Sequence, residues 1–459
     1  MKAERILTIA RLTVRDATRS RLLVSLGALL MIGIVGLPLL IRGDGTLAGR
    51  LHVILHYSMR FAVAVLSVAT LWAACAGIAL ETQDRRLFLI LARPVRRHEI
   101  WAGKWLAVVA LNTILLGLAG AAIYGTLQWS VHTAAASPSE RRTAADAVLT
   151  VCLMIPPRSD IADAFVQERF AALAQAGRIP TGLRRQQALA TIRRDLLRQA
   201  YAVAPGQSQR WTFVLSRAPT ADQPLSLRFR FASSRPERSA VRGLWRIGPP
   251  TAPNREEVTQ LFYPDRFTVL AVPRAAVAPD NSVTVDFTNT EAQAPATVLF
   301  EPDGGIEFLV RQGTFGANFV RALLVALFQL AFLAAIGLTM GSLLSMPVAV
   351  FVSFAVLIVL ALGGYIETVV STGVFYVPHE GPLPAFGRLD ALIKGLYHTL
   401  AIFTRPIAGL DAVPFLDDGR YLAWRTVGYT FVLLGGLYSG CAAAFGILLF
   451  RRREIGLAG

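Results

Sequence analysis

Six apolar runs punctuate the chain, near 22–41, 61–80, 105–126, 319–344, 348–370 and 427–450. A hydrocarbon core about 30 Å thick takes about 20 apolar residues in helical form, and it offers no water to an unpaired backbone amide. Each run is therefore expected to be a spanning helix. Composition agrees, since 54% of the 459 residues are hydrophobic and only 17% are charged, too apolar for a soluble globular chain. A formal charge of +16, from 46 Lys+Arg against 30 Asp+Glu, would suggest nucleic acid in a soluble protein. Here the excess gathers where topology signals belong, and no nucleic-acid partner is expected.

Lys2, Arg5, Arg11, Arg15, Arg19 and Arg21 precede the first run, and Arg85, Arg86, Arg93, Arg96, Arg97 and Lys104 lie between the second and third. Arg451, Arg452 and Arg453 follow the last. An even number of crossings puts these clusters on one side, which the positive-inside rule makes cytosolic. Arg42, Arg50 and Arg60 weaken that bias at the first hairpin. The first run is longer than a signal h-region and lacks a small-residue cleavage site, so both termini are expected in the cytosol of a cell with an inner (cytoplasmic) membrane. Before it, Ile6, Ile9, Ala10 and Leu12 alternate with Arg5, Arg11 and Arg15 in a helical stripe suited to a membrane surface with anionic headgroups. Between the fourth and fifth runs only Ser345-Met346-Pro347 intervenes, so those helices must be neighbours.

The polar block 127–317 is expected on the opposite, extracytoplasmic side. Val166, Phe170 and Leu173, then Leu189, Ile192 and Leu196, recur at helical spacing, giving a helical part over 159–203. From 207 to 312 the period changes to two: Leu225, Leu227, Phe229 and Phe231 alternate with Ser226, Arg228 and Arg230, and Val283, Val285 and Phe287 with Thr284 and Asp286. Further strand candidates at 211–215, 268–272 and 306–310, set between turn residues, predict a β-sandwich or jelly roll. Ala134–Ser139 reads as a flexible linker into this domain. Of the three cysteines, Cys75 and Cys441 fall within apolar runs, leaving Cys152 alone in the polar block, so no internal disulfide is expected there. The fold class is thus an α-helical polytopic membrane protein of about six spans. Residues 1–126 carry the first three, 318–459 the last three, and an α+β domain is inserted between them.

The Walker A phosphate loop is missing: Ala102-Gly103-Lys104-Trp105 has Trp where Ser or Thr must hold magnesium. Serine-hydrolase, zinc-protease and dinucleotide signatures are missing too. No enzymatic activity, cofactor or metal site is therefore expected in this chain. Glu81, a short polar run, Leu89 to Leu91, Ala92-Arg93-Pro94-Val95-Arg96-Arg97-His98-Glu99 and Gly103-Lys104 resemble the cytosolic signature of ABC type-2 permeases, the membrane subunits of ATP-binding-cassette exporters. The resemblance covers the spans, the surface helix and the closing Phe450-Arg451-Arg452-Arg453-Glu454; only a subset of such permeases carries a large β domain. It implies a dimer with a second copy or a homologue, driven by separate cytosolic ATPase subunits that bind ATP and magnesium. It also implies a coupling segment over 81–104, with Glu81, Arg85, Arg86, Arg93, Pro94, Arg96, Arg97, Glu99 and Lys104 as its site residues. Pro94 would fix a bend, and the arginines offer forked donors to acidic groove residues. Charge alone equally supports arginines that enforce topology and touch phospholipid.

Residues 371–423 remain apolar, with Leu389, Leu392, Ile393, Leu396 and Leu400 interrupted by Asp390, Lys394 and His398, a pattern of re-entrant or interfacial helices. Glu367 follows Gly363-Gly364 near the end of the fifth run, where it either lines an exit path or sits as an interfacial acid in water. His52 and His56 are one helical turn apart, a chelating spacing that no third-ligand motif supports. Gly33, Gly36, Gly117 and Gly120 have small-residue spacing within spans. The competing reading is a non-transporting receptor or scaffold whose β domain binds an extracytoplasmic partner. A secondary transporter is disfavoured, because paired broken helices with midplane charges are not evident.

Overall fold

The computed structural model describes residues 2–19, 21–41, 46–83, 96–134, 137–158, 163–176, 185–220, 223–235, 240–250, 255–291, 296–302, 304–372, 395–402, 404, 407, 410–411 and 413–452. They form two compact units. The first unit comprises Met1–Thr150, Thr314–Glu367 and Ala385–Gly459; the second comprises Val151–Gly313 with Thr368–Pro384.

In the first unit the helices are α1 (Lys2–Arg19), α2 (Arg21–Leu40), α3 (Leu47–Gln83), α4 (Arg97–Thr133) and α5 (Pro138–Val148). After the inserted unit the chain resumes as α8 (Phe315–Leu343), α9 (Met346–Ala361), α10 (Gly363–Thr372, whose residues from Thr368 belong to the second unit), α11 (Val413–Asp417), α12 (Trp424–Thr430) and α13 (Ser439–Arg452). A π-helical stretch, Phe431–Tyr438, joins α12 to α13 without a break. Among the described residues four helices are long and apolar enough to cross a bilayer: Leu47–Glu81, Arg97–Thr133, Phe315–Leu343 and Trp424–Leu449. They associate the chain with a membrane. A fifth crossing arises if α1 and α2, which meet at a 67° bend, count as one broken span.

The fifth expected span, 348–370, does not form as one helix. α9 has 16 residues, roughly 24 Å at the α-helical rise and short of the hydrocarbon thickness. The chain turns at Leu362 before Gly363-Gly364 opens α10, because consecutive glycines are the weakest helix formers here apart from proline. α3 is longer than its apolar run: the mixed stretch Arg50 to Arg60, which buries Leu51, Ile54, Leu55 and Met59, continues the helix back to Leu47. The predicted linker is also shorter than its composition implied. Ser137 caps α5, its Oγ accepting from the Glu140 amide at 3.2 Å while Glu140 accepts from the Ser137 amide at 2.8 Å, and Pro138 occupies the first turn.

α8 is the central helix, packed on α3, α4, α9 and α13. Glycine permits the closest approach. A Cβ at Gly341 would lie 2.5 Å from the Cys75 carbonyl oxygen, and one at Gly337 2.7 Å from Ala74 Cβ. Among lipid tails, apolar burial does not drive helices together, so such backbone proximity has to supply the dispersion energy. Of the glycines noted from spacing, Gly33 abuts Phe61 and Gly120 abuts Leu323, while Gly36 and Gly117 face open space.

The second unit begins with β1 (Cys152–Ile155), α6 (Asp163–Gln175) and α7 (Arg185–Ala200). The strands β2 (Ala202–Val203), β3 (Ser208–Val214), β4 (Leu225–Phe229), β5 (Phe231–Ser233), β6 (Val241–Ile247), β7 (Glu256–Phe262), β8 (Thr268–Val272), β9 (Ser282–Asn289), β10 (Val298–Phe300) and β11 (Ile306–Arg311) follow. Two four-stranded antiparallel sheets, β1-β11-β4-β8 and β3-β9-β6-β7, share one core, and a small β2-β10-β5 sheet joins them. The pairs β1·β11, β3·β9, β4·β8 and β6·β7 are successive rungs of one long folded hairpin closing at β6–β7. Rolled into two sheets, those rungs give the jelly roll, one of the two architectures that the alternation allowed. The run Leu225–Phe231 divides at Arg230, whose amide donates to Gly305 at 2.8 Å, so β4 and β5 enter different sheets.

Trp245 lies at the centre of the core with no exposure, its ring centroid 4.5 Å from Phe229 and 4.8 Å from Phe287. Beside it Asp286 accepts from Arg210 Nε at 2.7 Å and Arg255 Nη1 at 2.8 Å. Burial alone would raise that carboxyl, but the two guanidinium groups outweigh it and hold the carboxyl below its usual range. Cys75, Cys152 and Cys441 are all free thiols.

Trp245→Ala is expected to lower the unfolding free energy of this unit by about 3–5 kcal/mol, with Trp245→Phe milder, as read by melting of the intact protein. Because Asp286 is depressed in the folded state, its contribution is present above the unfolded value near ~3.9 and is lost as pH falls through the folded value. Acid titration of the melting temperature should therefore show a descending limb below the ordinary carboxylate range that is shallower in Asp286→Asn.

Candidate functional site

The ends of α3 and α4 flank the segment singled out by sequence. Arg85, Arg86, Arg93 and Pro94 lie outside the described residues; Glu81, Arg96, Arg97, Glu99 and Lys104 lie within them. Lys104 is 4% exposed and projects from α4 toward α3. Its ammonium donates to the Gly77 carbonyl at 2.8 Å and to Glu81 Oε1 at 2.6 Å. An ammonium in apolar surroundings needs an opposite charge and filled hydrogen bonds, and both come from one turn of α3. The second carboxylate oxygen of Glu81 is buried and has no partner among the described residues, which leaves one acceptor available beside the elbow, the connection between α3 and α4.

Glu99 is 1% exposed and does not face outward. Its carboxylate accepts from the Arg96 amide at 2.9 Å, placing negative charge at the amino-terminal end of α4, where the helix dipole favours it. Arg96 is exposed and Arg97 half-buried. Of the expected coupling residues that are described, the lysine and the two glutamates thus hold the elbow's base together, and the arginines carry its surface charge.

Gly103 accounts for the Gly-Lys pair. α1 packs on α4 at this position, and a Cβ there would lie 2.8 Å from Ile9 Cβ and 3.1 Å from the Ile6 carbonyl oxygen. Trp101 sits in a cluster with Ala74, Ile78, Ala335 and Leu338, and Trp105 Nε1 donates to the Ala331 carbonyl at 2.9 Å. Four helices, α1, α3, α4 and α8, therefore meet at the foot of the elbow.

Comparison with protein families, curated proteins and solved structures finds no match. The roles of these residues rest on their own geometry.

Toward the opposite end of α3, His56 Nδ1 lies 2.5 Å from Asp417 Oδ2, and His52 stacks on His56 at 5.9 Å. Burial pushes the Asp417 carboxyl up, with His56 opposing. No three His, Cys, Asp or Glu side chains converge as a metal site among the described residues. Asp417 belongs to a segment held to α8 by buried polar groups. Asn318 donates to the Arg420 carbonyl at 2.9 Å and accepts from the Leu422 amide at 2.8 Å. Gln329 donates to the Leu410 carbonyl at 2.9 Å, and Arg321 lies 5.1 Å from the rings of both Tyr421 and Trp424. Leu389, Asp390, Leu392, Ile393 and Lys394 fall outside the described residues, and Glu367 is half-buried on α10.

Sequence reading missed Asp417, Asn318 and Gln329, along with Asn112, whose Oδ1 accepts from Thr70 at 2.9 Å between α3 and α4. For the three amides the available signal was a polar side chain within or bordering an apolar run. Such a group needs a partner when water is absent.

Lys104→Met leaves Glu81 without its cation and is expected to cost about 1–3 kcal/mol, since Glu81 keeps some solvent. Lys104→Met with Glu81→Leu should recover most of that loss, as measured by the melting temperature in detergent. Gly103→Leu should separate α1 from α4 and abolish disulfide trapping between cysteines introduced on the two helices.

Proposed function

We propose that the chain is the permease subunit of an ATP-binding-cassette exporter, working as a dimer and driven by separate cytosolic ATPase subunits. The observation that carries this reading is the Lys104 bridge. A push on the segment between α3 and α4 can move helices only if their ends are tied together, and the Lys104–Glu81–Gly77 contact ties them. α3 and α4 each have 37 residues, about 55 Å of helix at the α-helical rise, so both are longer than a bilayer core about 30 Å thick. Arg96 and Arg97, with Arg85, Arg86 and Arg93, supply forked donors for acidic groove residues of the ATPase.

In this reading the elbow and both termini are cytosolic in the cell inner membrane, and the jelly-roll unit is extracytoplasmic. α9 with α10 completes a sixth, broken crossing. The segment tied to α8 by Asn318 and Gln329 caps the path, with Glu367 near its exit. The last span buries only 17% of its most apolar window within the chain. Val432, Leu437 and Phe445 therefore offer a face to lipid or to the second copy. ATP closure of the ATPase dimer would shift the permease between two arrangements.

A second reading, a receptor or scaffold without transport, is favoured by one feature of the jelly roll. Tyr263, Phe267 and Val269 are exposed together, with Arg228 4.6 Å and Arg230 4.7 Å from the Phe267 ring. Such exposed aromatic and aliphatic side chains suit a protein partner, while Arg228 and Arg230 are themselves paired with Glu307 and Glu301.

The two readings separate on co-purification with a candidate ATPase. Wild type should bring the ATPase down, and Arg93/Arg96/Arg97→Glu should reduce recovery at least tenfold while leaving the melting temperature unchanged. Undiminished recovery with the triple variant would sink the coupling assignment. Recovery of an extracytoplasmic protein alone would favour the scaffold.

A further inference from the structure

The surface between α1 and α4 contains an open groove of about 490 Å³, lined by Leu7, Ala10, Val14, Thr18, Leu106 and Ala110 together with the exposed Arg11 and Arg15 at its rim. Its size falls within the ~300–1,000 Å³ typical of small-molecule sites. The wall is almost wholly apolar, yet the rim is cationic. Arg11 and Arg15 are exposed and one helical turn apart, and neither pairs with a carboxylate among the described residues. Arg19 extends the same row by another turn. Residues four apart on a helix face lie about 5–6 Å apart at Cβ, a spacing at which two guanidinium forks can share one phosphate.

We propose that this groove is a binding site for one anionic phospholipid, its acyl chain lying against Leu7, Ala10, Val14, Leu106 and Ala110 and its phosphate held between Arg11 and Arg15. Charge complementarity selects the occupant. A peptide segment of this chain would bring its own backbone amides to a wall that offers them no partner. A hydrocarbon tail needs none, and an anionic headgroup meets the two uncompensated cations. α4 is long and apolar enough to cross a bilayer, so one wall of the groove can lie at acyl-chain depth while α1 supplies the headgroup end. Gly103 fixes the distance between the walls by letting α1 touch the α4 backbone. The site stands apart from the export reading, because it requires only that the chain lie in a membrane.

Native mass spectrometry of the purified full-length protein, titrated with phosphatidylglycerol or phosphatidylcholine of identical acyl chains, tests it. Phosphatidylglycerol should be retained one to one with at least a tenfold preference. Arg11→Gln/Arg15→Gln should lose roughly 25-fold in affinity for it, from about fivefold for each basic residue at an anionic surface. The control Arg50→Gln/Arg60→Gln should retain the preference. Ala110→Trp, which fills the groove, should weaken both lipids without a change in melting temperature. Equal retention of the two lipids, or a preference untouched by the Arg11/Arg15 variant, would overturn the proposal. So would an Ala110→Trp variant that changes the oligomeric mass and leaves lipid adducts intact, which assigns the groove to a second copy of the chain.

Discussion

An ammonium ion removed from water must find a counter-charge, and among the described residues Lys104 finds it on α3. That demand sets the separation of α3 and α4, and with it the position of everything that leans on them. α1 can approach only where α4 has no side chain, at Gly103, one residue from the lysine. α8 closes on the other side through Gly337 and Gly341 against α3. The adjacent Gly and Lys are thus two parts of one packing problem, a backbone brought close and a charge brought home. Glu99 serves the same end by capping α4 from within.

The inserted unit is held by different physics. Its core is aromatic, with Trp245, Phe229, Phe287 and Phe300 meeting at edge and tilted angles, where ring quadrupoles add to area burial. Polar satisfaction is concentrated in a few places. Asp286 collects two arginines from different strands, and Asn289 donates to the carbonyls of Val203 and Ala296, joining the small sheet to the larger one. Without disulfides, these are the contacts that fix register in a domain of short strands.

Helix existence was legible because a run of some 20 apolar residues admits few alternatives, whereas helix ends were not. The stretch Arg50 to Arg60, with its arginines and histidines, interrupts the continuous apolar run, yet it continues α3 because nothing in it breaks a helix and Leu51, Ile54, Leu55 and Met59 join the core. Conversely the apolar run 348–370 reads as continuous until Gly363-Gly364 interrupts it. Ser137 with Glu140 was a readable capping box set within an alanine tract that suggested only flexibility. In the β region alternation marked β3, β4, β8, β9 and β11, while β1, β2 and β10 are too short for a period to show. β6 alternates cleanly only if Gly243 is counted among the inward residues, where a Cβ would sit 2.4 Å from the Phe287 ring. For the site, sequence marked the right segment but not the division of labour. Charge type does not distinguish Lys104, turned inward, from Arg96, turned outward; only the neighbouring helix does.

The first and last strands of the jelly roll are hydrogen-bonded to each other, Cys152 opposite Arg311, and the amide of Gln312 reaches the Val151 carbonyl. The stretch Val151–Gly313 therefore begins and ends at one pair of strands, its two ends about 5 Å apart. A module whose two ends coincide in this way can be gained, lost or exchanged between α5 and α8 as one block, without requiring the helices on either side to be spaced anew. Variation among proteins built on the same bundle is thus expected to fall at Val151 and Gly313 as whole-domain steps instead of gradual loop growth.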